Sequence, residues 1–266
     1  MSSSIGDRNL GGVEITGPDD AAEVVFVHGT VFNGTMWAPQ REILSEEFRV
    51  ITFDMPGHGT RADEPFRLET AIETLRGVIE EEATGSVHLI GISLGGYVAT
   101  EFASREPETV DRLVVADGSA NPIGLLGKLT YVIGKGTLLA SRSGLIKRAT
   151  DWLTERYVRG QDLPPEIEEE IVDAGFDLRP FGEAGLEIAG KDFRSAFAAF
   201  PGAALVVNGQ WDLVMRLGQE EHAKAGEADL TVIDDAGHIS NLDQSEAYTS
   251  VVARFVDPTT EISATD

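Results

Sequence analysis

The chain has 266 residues, 42% of them hydrophobic, which suits one large domain or one domain carrying an insertion. It contains no cysteine, so disulfides, thiolate chemistry and cysteine-based metal sites are excluded. Against 45 acidic residues stand 21 basic ones, and the net charge of -24 argues against nucleic-acid partners and, at long range, against anionic membranes.

In chain order, residues 1–12 lack periodicity and read as a loose terminus, and residues 13–16 as a first short strand. After the turn Gly17-Pro18-Asp19-Asp20, the run Glu23-Val24-Val25-Phe26-Val27 predicts a buried strand ending in His28-Gly29-Thr30. Residues 37–48 read as helix. Arg49-Val50-Ile51-Thr52-Phe53 is the next strand and runs into the loop Asp54-Met55-Pro56-Gly57-His58-Gly59. Leu68, Ile72, Leu75 and Ile79 recur at spacings of three and four, the pattern of an amphipathic helix packed on a sheet.

Residues 87–92 form an apolar strand that meets Gly91-Ile92-Ser93-Leu94-Gly95, and a helix follows over 94–105, where Pro107 stops it. Gly-x-Ser-x-Gly between a strand and a helix is the pattern of a nucleophile elbow, in which a sharp turn exposes the serine hydroxyl. Residues 110–116 add another strand. Alternation of this kind predicts an α/β fold with a mostly parallel sheet, helices on both faces and ligands at the carboxyl ends of the strands.

The alternation breaks at Asp117. Residues 118–190 show helical stretches, including 123–139, 145–158 and 165–174, and read as a helical cap inserted over the active edge of a core made of 1–117 and 191–266. Strands resume at 203–207, followed by Asn208-Gly209-Gln210-Trp211-Asp212, a helix near 216–225, a strand at 230–233, the loop Asp235-Ala236-Gly237-His238 and a last helix over 244–255. The polar tail after Asp257 is expected to fray.

A serine hydroxyl needs an adjacent base, and the base needs a third group to orient it. Ser93, Asp212 and His238 fall at strand ends in the order nucleophile, acid, base. Of the other histidines, His88 lies within a strand, His222 is expected to be solvated on an acidic helix, and His28 and His58 precede glycines in tight turns that suit structural hydrogen bonds. Asp117 also ends a strand and is the alternative acid, whereas Asp234 and Asp235 read as turn formers. The oxyanion is expected to meet the Leu94 amide at a helix start and the Thr30 amide, with Val31 the alternative if that loop bends one residue later.

His28-Gly29, the 54–59 loop, Gly91-Ile92-Ser93-Leu94-Gly95-Gly96, Asp212 and Asp235-Ala236-Gly237-His238 together resemble the α/β-hydrolase superfamily over residues 13–257. His28-Gly29-Thr30 with Met36-Trp37, and His238-Ile239-Ser240-Asn241-Leu242, look like its carboxylesterase and 3-oxoadipate enol-lactonase-like branch. Gln210-Trp211 before Asp212 is a departure at a position where relatives vary. The resemblance implies an eight-stranded, mostly parallel sheet with a cap after the sixth strand, and hydrolysis through an acyl-enzyme on Ser93 without cofactor or metal.

The expected substrates are small to medium uncharged esters or lactones. A perhydrolase, a carbon-carbon bond hydrolase and a non-catalytic binding protein are the alternatives. Phe32, Met36, Trp37, Leu126 and Trp152 are expected to line the pocket, with Leu125, Leu129, Tyr131, Val132 and Ile133 as further candidates. No apolar run approaches a membrane span and Met1-Ser2-Ser3-Ser4 is not a signal segment, so a soluble cytoplasmic protein is expected, with self-association into a homo-oligomer left open. The acid excess, with runs at Glu80-Glu81-Glu82 and Glu168-Glu169-Glu170, repels itself unless salt screens it and favours a halophilic source.

Overall fold

Apolar runs rich in β-branched residues form seven strands in the computed structural model, which describes residues 10–259. Residues 1–9 and 260–266, which hold most of the two expected loose ends, lie outside the described residues. The elements run β1 (Glu14–Thr16), β2 (Glu23–Val27), α1 (Ala38–Leu44), β3 (Arg49–Thr52), α2 (Leu68–Glu82), β4 (Val87–Ile92), α3 (Leu94–Arg105) and β5 (Val110–Ala116). Five helices follow without a strand: α4 (Gly124–Ala140), α5 (Gly144–Val158), α6 (Pro165–Asp173), α7 (Arg179–Ile188) and α8 (Phe193–Ala199). The chain closes with β6 (Ala203–Gly209), α9 (Gln219–Ala225), β7 (Asp229–Ile233), α10 (Ser240–Asp243) and α11 (Ser245–Val256).

The strands lie in the order β1-β3-β2-β4-β5-β6-β7. β1 pairs antiparallel with β3, and every other pair is parallel. The eight strands implied by resemblance are therefore seven among the described residues, and the helical insertion follows the fifth. Only seven apolar runs of strand type occur in the chain, and each became one strand.

Successive strand side chains point to opposite faces, and two cores result. Val25, Val27, Leu89, Val115 and Val206 pack with α2, α3 and α8 on one face. Val24, Phe26, Ile90, Val114 and Leu205 pack with α1 and α11 on the other. On α2 the fully buried Ala71, Ile72, Leu75 and Val78 make the stripe, and each large apolar side chain so buried contributes about 1.5–3 kcal/mol. All parallel strands point their carboxyl ends to one edge, where the elbow and the Asp212 and His238 loops gather.

Some boundaries differ from expectation. α1 spans seven residues because a 3₁₀ turn, Gly34–Trp37, precedes it, with the Asn33 side chain accepting from Thr35 N at 3.1 Å. α7 was not singled out by periodicity, because the positions it buries are Pro180, Gly182, Ala184 and Gly185 rather than large apolar residues.

Candidate active site

β4 delivers Ser93 to the edge in a strained turn. Its φ is +53° and its ψ -115°, a conformation that costs a non-glycine residue on the order of 1–3 kcal/mol. The flanking glycines are steric requirements. A Cβ on Gly91 would stand 2.2 Å from Gly95 O, and one on Gly95 would stand 2.1 Å from Val27 O. Ser93 N donates to Ala116 O at 2.8 Å, which ties the elbow to the end of β5.

Asp212 and His238 arrive on two loops that are laced together. A Cβ on Gly209 would stand 2.0 Å from Gly237 O, so glycine alone lets the loop after β6 touch the loop after β7. Trp211 N donates to Ala236 O at 2.8 Å, and Gln210 Oε1 accepts from Asp235 N at 3.0 Å. The departure at Gln210-Trp211 thus has a structural use. Within this frame Ser93 Oγ lies 3.0 Å from His238 Nε2, and His238 Nδ1 lies 2.5 Å from Asp212 Oδ2. The other Asp212 oxygen accepts from Met215 N at 3.1 Å. Burial alone pushes the His238 pKa down, but the Asp212 hydrogen bond and charge, with Asp117 and Asp243 behind, outweigh it and hold the ring above its ordinary value.

Asp117 does not reach the imidazole ring. It is fully buried, accepts from Gly209 N at 2.8 Å with one oxygen, and with the other from Ser240 N at 3.1 Å and Ser240 Oγ at 2.6 Å. Burial raises its pKa to about 7, against the pull of His238 and these hydrogen bonds. Its contacts clamp the bases of both catalytic-edge loops. Behind them Asn208, Ser119 and Gln219 form a second buried set, in which Asn208 Nδ2 donates to Ser119 Oγ at 3.0 Å and to Gln219 Oε1 at 3.1 Å.

His28 and His58 have the structural duties expected. His28 Nδ1 donates to Gly29 O at 2.8 Å while Nε2 accepts from Met55 N at 2.9 Å, and burial lowers the pKa of both rings. His88 sits in β4, 3.3 Å from Asp111. His222 corrects the expectation of a solvated residue. It is buried against the Phe197 ring at 4.6 Å, and burial pushes its pKa down to about 4. The acidic residues around it in the sequence lie on the other side of α9. Among the described residues, no group of three His, Asp or Glu is placed to hold a metal ion.

Two cavities meet at Ser93. The larger, about 450 Å³, runs beneath α4 and α7 and is lined by Leu94, Leu126, Leu129, Ile133, Ile188 and Met215 among others. The smaller, about 280 Å³, is lined by Phe32, Met36, Leu153, Tyr157 and Ile239. Thr30, Ser93, Phe181 and His238 border both. The loop after β2 lies against the serine, since a Cβ on Gly29 would stand 3.4 Å from Ser93 Cβ. It bends at Val31, whose φ is +73°; Val31 borders only the smaller cavity.

Of the candidate pocket residues, Phe32 and Met36 border the smaller cavity and Leu126 the larger, whereas Trp37 and Trp152 border neither. Trp37 is wholly buried, against Phe26 at 4.5 Å and Tyr248 at 6.0 Å. Trp152 is 59% exposed, whereas its neighbours Leu153 and Thr154 border the smaller cavity. Leu125, Tyr131 and Val132 also face outward, whereas Leu129 and Ile133 reach the cavity.

Tyr157 and Asp243 belong to the surroundings of His238 although no motif marks them. Asp243 accepts from Tyr157 Oη at 2.5 Å with one oxygen and from Gly237 N at 2.6 Å with the other, which holds the residue before His238. An acid five residues beyond His238 was visible in the sequence. Its partner, 86 residues away, carried no signal.

A parallel sheet with a serine elbow, an imidazole and a carboxylate at its carboxyl edge is the frame of a hydrolase. The family model described as the alpha/beta hydrolase family matches residues 24–251, and the chain belongs to that family. It is similar to 3-oxoadipate enol-lactonase 1 of Acinetobacter baylyi, 23% identical over 255 residues and 92% of each protein. Among solved structures it is similar to a thermophilic esterase from Thermogutta terrifontis, with a TM-score of 0.75, 27% identity and 93% of both chains covered. The enol-lactonase from Burkholderia xenovorans follows at a TM-score of 0.71 and 25% identity, covering 92% of this chain and 95% of that one.

Proposed function

We propose that this hydrolase cleaves neutral carboxylic esters through an acyl-enzyme on Ser93, with residues 118–190 acting as a cap over the site. The carrying observation is the line from Ser93 Oγ through His238 to Asp212, 3.0 and 2.5 Å, at the junction of two cavities whose lining includes no lysine or arginine. Ser93 Oγ attacks the carbonyl carbon as its proton passes to His238 Nε2, and Asp212 stabilises the resulting imidazolium. The Leu94 and Thr30 amides, at the start of α3 and beside Ser93, are suited to receive the oxyanion. Collapse breaks the ester bond, and the alcohol leaves with the proton from Nε2. Water then gives its proton to Nε2 and attacks the acyl carbon, and collapse breaks the bond to Ser93 Oγ, which regains the proton from Nε2 as the acid is released.

The relatives support esters and lactones alike. The enol-lactone of 3-oxoadipate retains a free carboxylate, and no cation lines either cavity to receive one, so the neutral ester is the better fit here. Ser93→Ala is expected to abolish hydrolysis of a p-nitrophenyl ester and labelling by a fluorophosphonate while the circular dichroism is unchanged. Retained turnover would reject the mechanism, and absent labelling of the unmodified protein would favour a binding protein. A neutral and a carboxylate-bearing lactone, assayed side by side, separate the two substrate classes.

A further inference from the structure

α4 buries two glycines and exposes three of its five leucines, Leu125, Leu129 and Leu139. Among its residues only Gly127 and Gly134 are buried. Gly134 meets α7 backbone to backbone, since a Cβ there would stand 3.0 Å from Gly182 O and from Gly185 Cα. The packing face is thus built mainly from glycine and backbone, with Leu138 alone of the leucines set against Gly182 of α7. Leu125 (83% exposed), Leu129, Val132 (64%) and Leu139 (68%) instead form an outward stripe at spacings of four, three and seven, and Leu145 (79%) continues it at the start of α5.

The charge on this face is opposite to that of the chain. Residues 118–150 contain Lys128, Lys135, Arg142, Lys147 and Arg148 and no carboxylate, in a protein of net charge -24. All five cations are exposed, and Lys128 and Lys135 flank the leucine stripe. Among the described residues, Lys147 is engaged by the carboxylate of Asp151, and no ion pair joins the other four to one. Contiguous apolar side chains left in water mark an interaction site, and lysines edging an apolar stripe are the arrangement of helices that lie in the plane of a membrane interface.

We propose that the α4–α5 face docks on the headgroup layer of a bilayer containing anionic lipid, with the leucine stripe inserted and the lysines and arginines at the phosphates. No helix among the described residues is long and apolar enough to cross a membrane, so attachment is peripheral. The expectation that -24 repels such a surface holds at long range only. Within a Debye length, about 8 Å at physiological salt, the surface meets this face and not the distant carboxylates. Leu129 and Ile133 belong to both the exposed face and the larger cavity, so the site opens towards the apolar layer.

The full chain is sedimented with vesicles of phosphatidylcholine alone and of phosphatidylcholine with phosphatidylglycerol, without substrate, so failure would leave the hydrolase reading standing. Binding to the mixed vesicles is expected, weaker by about tenfold or more for Lys128→Glu/Lys135→Glu. Leu125→Ser/Val132→Ser should weaken it as well, and neither pair should change turnover of a soluble short-chain ester. Absent binding, or binding indifferent to either pair, would overturn the proposal. Self-association lost in the same variants, with no vesicle binding, would overturn it too and assign the face to a contact between copies.

Discussion

Ser93 carries a strained backbone and His238 a raised pKa, and in the proposed mechanism a dependence on pH follows. Turnover requires the neutral ring, and His238 is held above the ordinary imidazole value, so kcat/KM for a neutral ester should rise with pH through a midpoint above that value. Asp212→Asn removes the carboxylate that raises the pKa and fixes the tautomer. Its kcat should fall by about 10⁴-fold and the midpoint should move down, read from pH-rate profiles of both proteins. Asp117 makes a different prediction. Its folded pKa of about 7 exceeds the ordinary carboxyl value, so the folded state holds the proton more tightly and this residue's contribution to stability is lost as pH rises towards 7. Asp117→Asn should therefore destabilise most at acid pH, with a penalty that shrinks towards neutrality in urea titrations. Ser93, Asp212 and His238 were legible because the turns that carry them hold glycines, Gly91, Gly95, Gly209 and Gly237, whose missing side chains permit a close approach. Trp37 and His222 were misread for a complementary reason: residue type and local neighbours do not show which side of an element faces the core.

Strands were legible nearly to the residue, since the inner ones are short apolar runs bounded by turn formers, β2 and β4 being buried along their whole length, while the edge strands β1 and β7 are only partly buried. Helices that bury small residues were not. The contact between α4 and α7 is built from Gly134, Gly182 and Gly185, which give no hydrophobic period, and so α7 had no outline in the sequence. The same contact sets the width of the larger cavity, because both helices line it. Gly134→Leu would push α7 away through backbone that has no flexible end to yield, and should cost about 1–3 kcal/mol of stability. Activity on long-chain esters should change more than activity on acetate esters, measured as kcat/KM across an acyl series. An unchanged chain-length profile would place the acyl group in the smaller cavity instead.

At the scale of the molecule, 45 acidic residues on one chain repel one another, and the repulsion is relieved on unfolding. Thermal unfolding in low and in molar sodium chloride should give a higher Tm in the salt, and equal values would show that the carboxylates are spaced widely enough to need no screening. Composition announced this acidity, but a single total hid how it is distributed. The carboxylate-free stretch at 118–150, with its five cations, makes the charge of this large anion uneven, so that it has a dipole as well as a net charge. In the field of a negative surface a dipole experiences a torque before it experiences any contact. The chain should therefore approach with α4 and α5 foremost, and orientation, rather than affinity alone, would determine how many encounters bring the mouth of the site to its substrate.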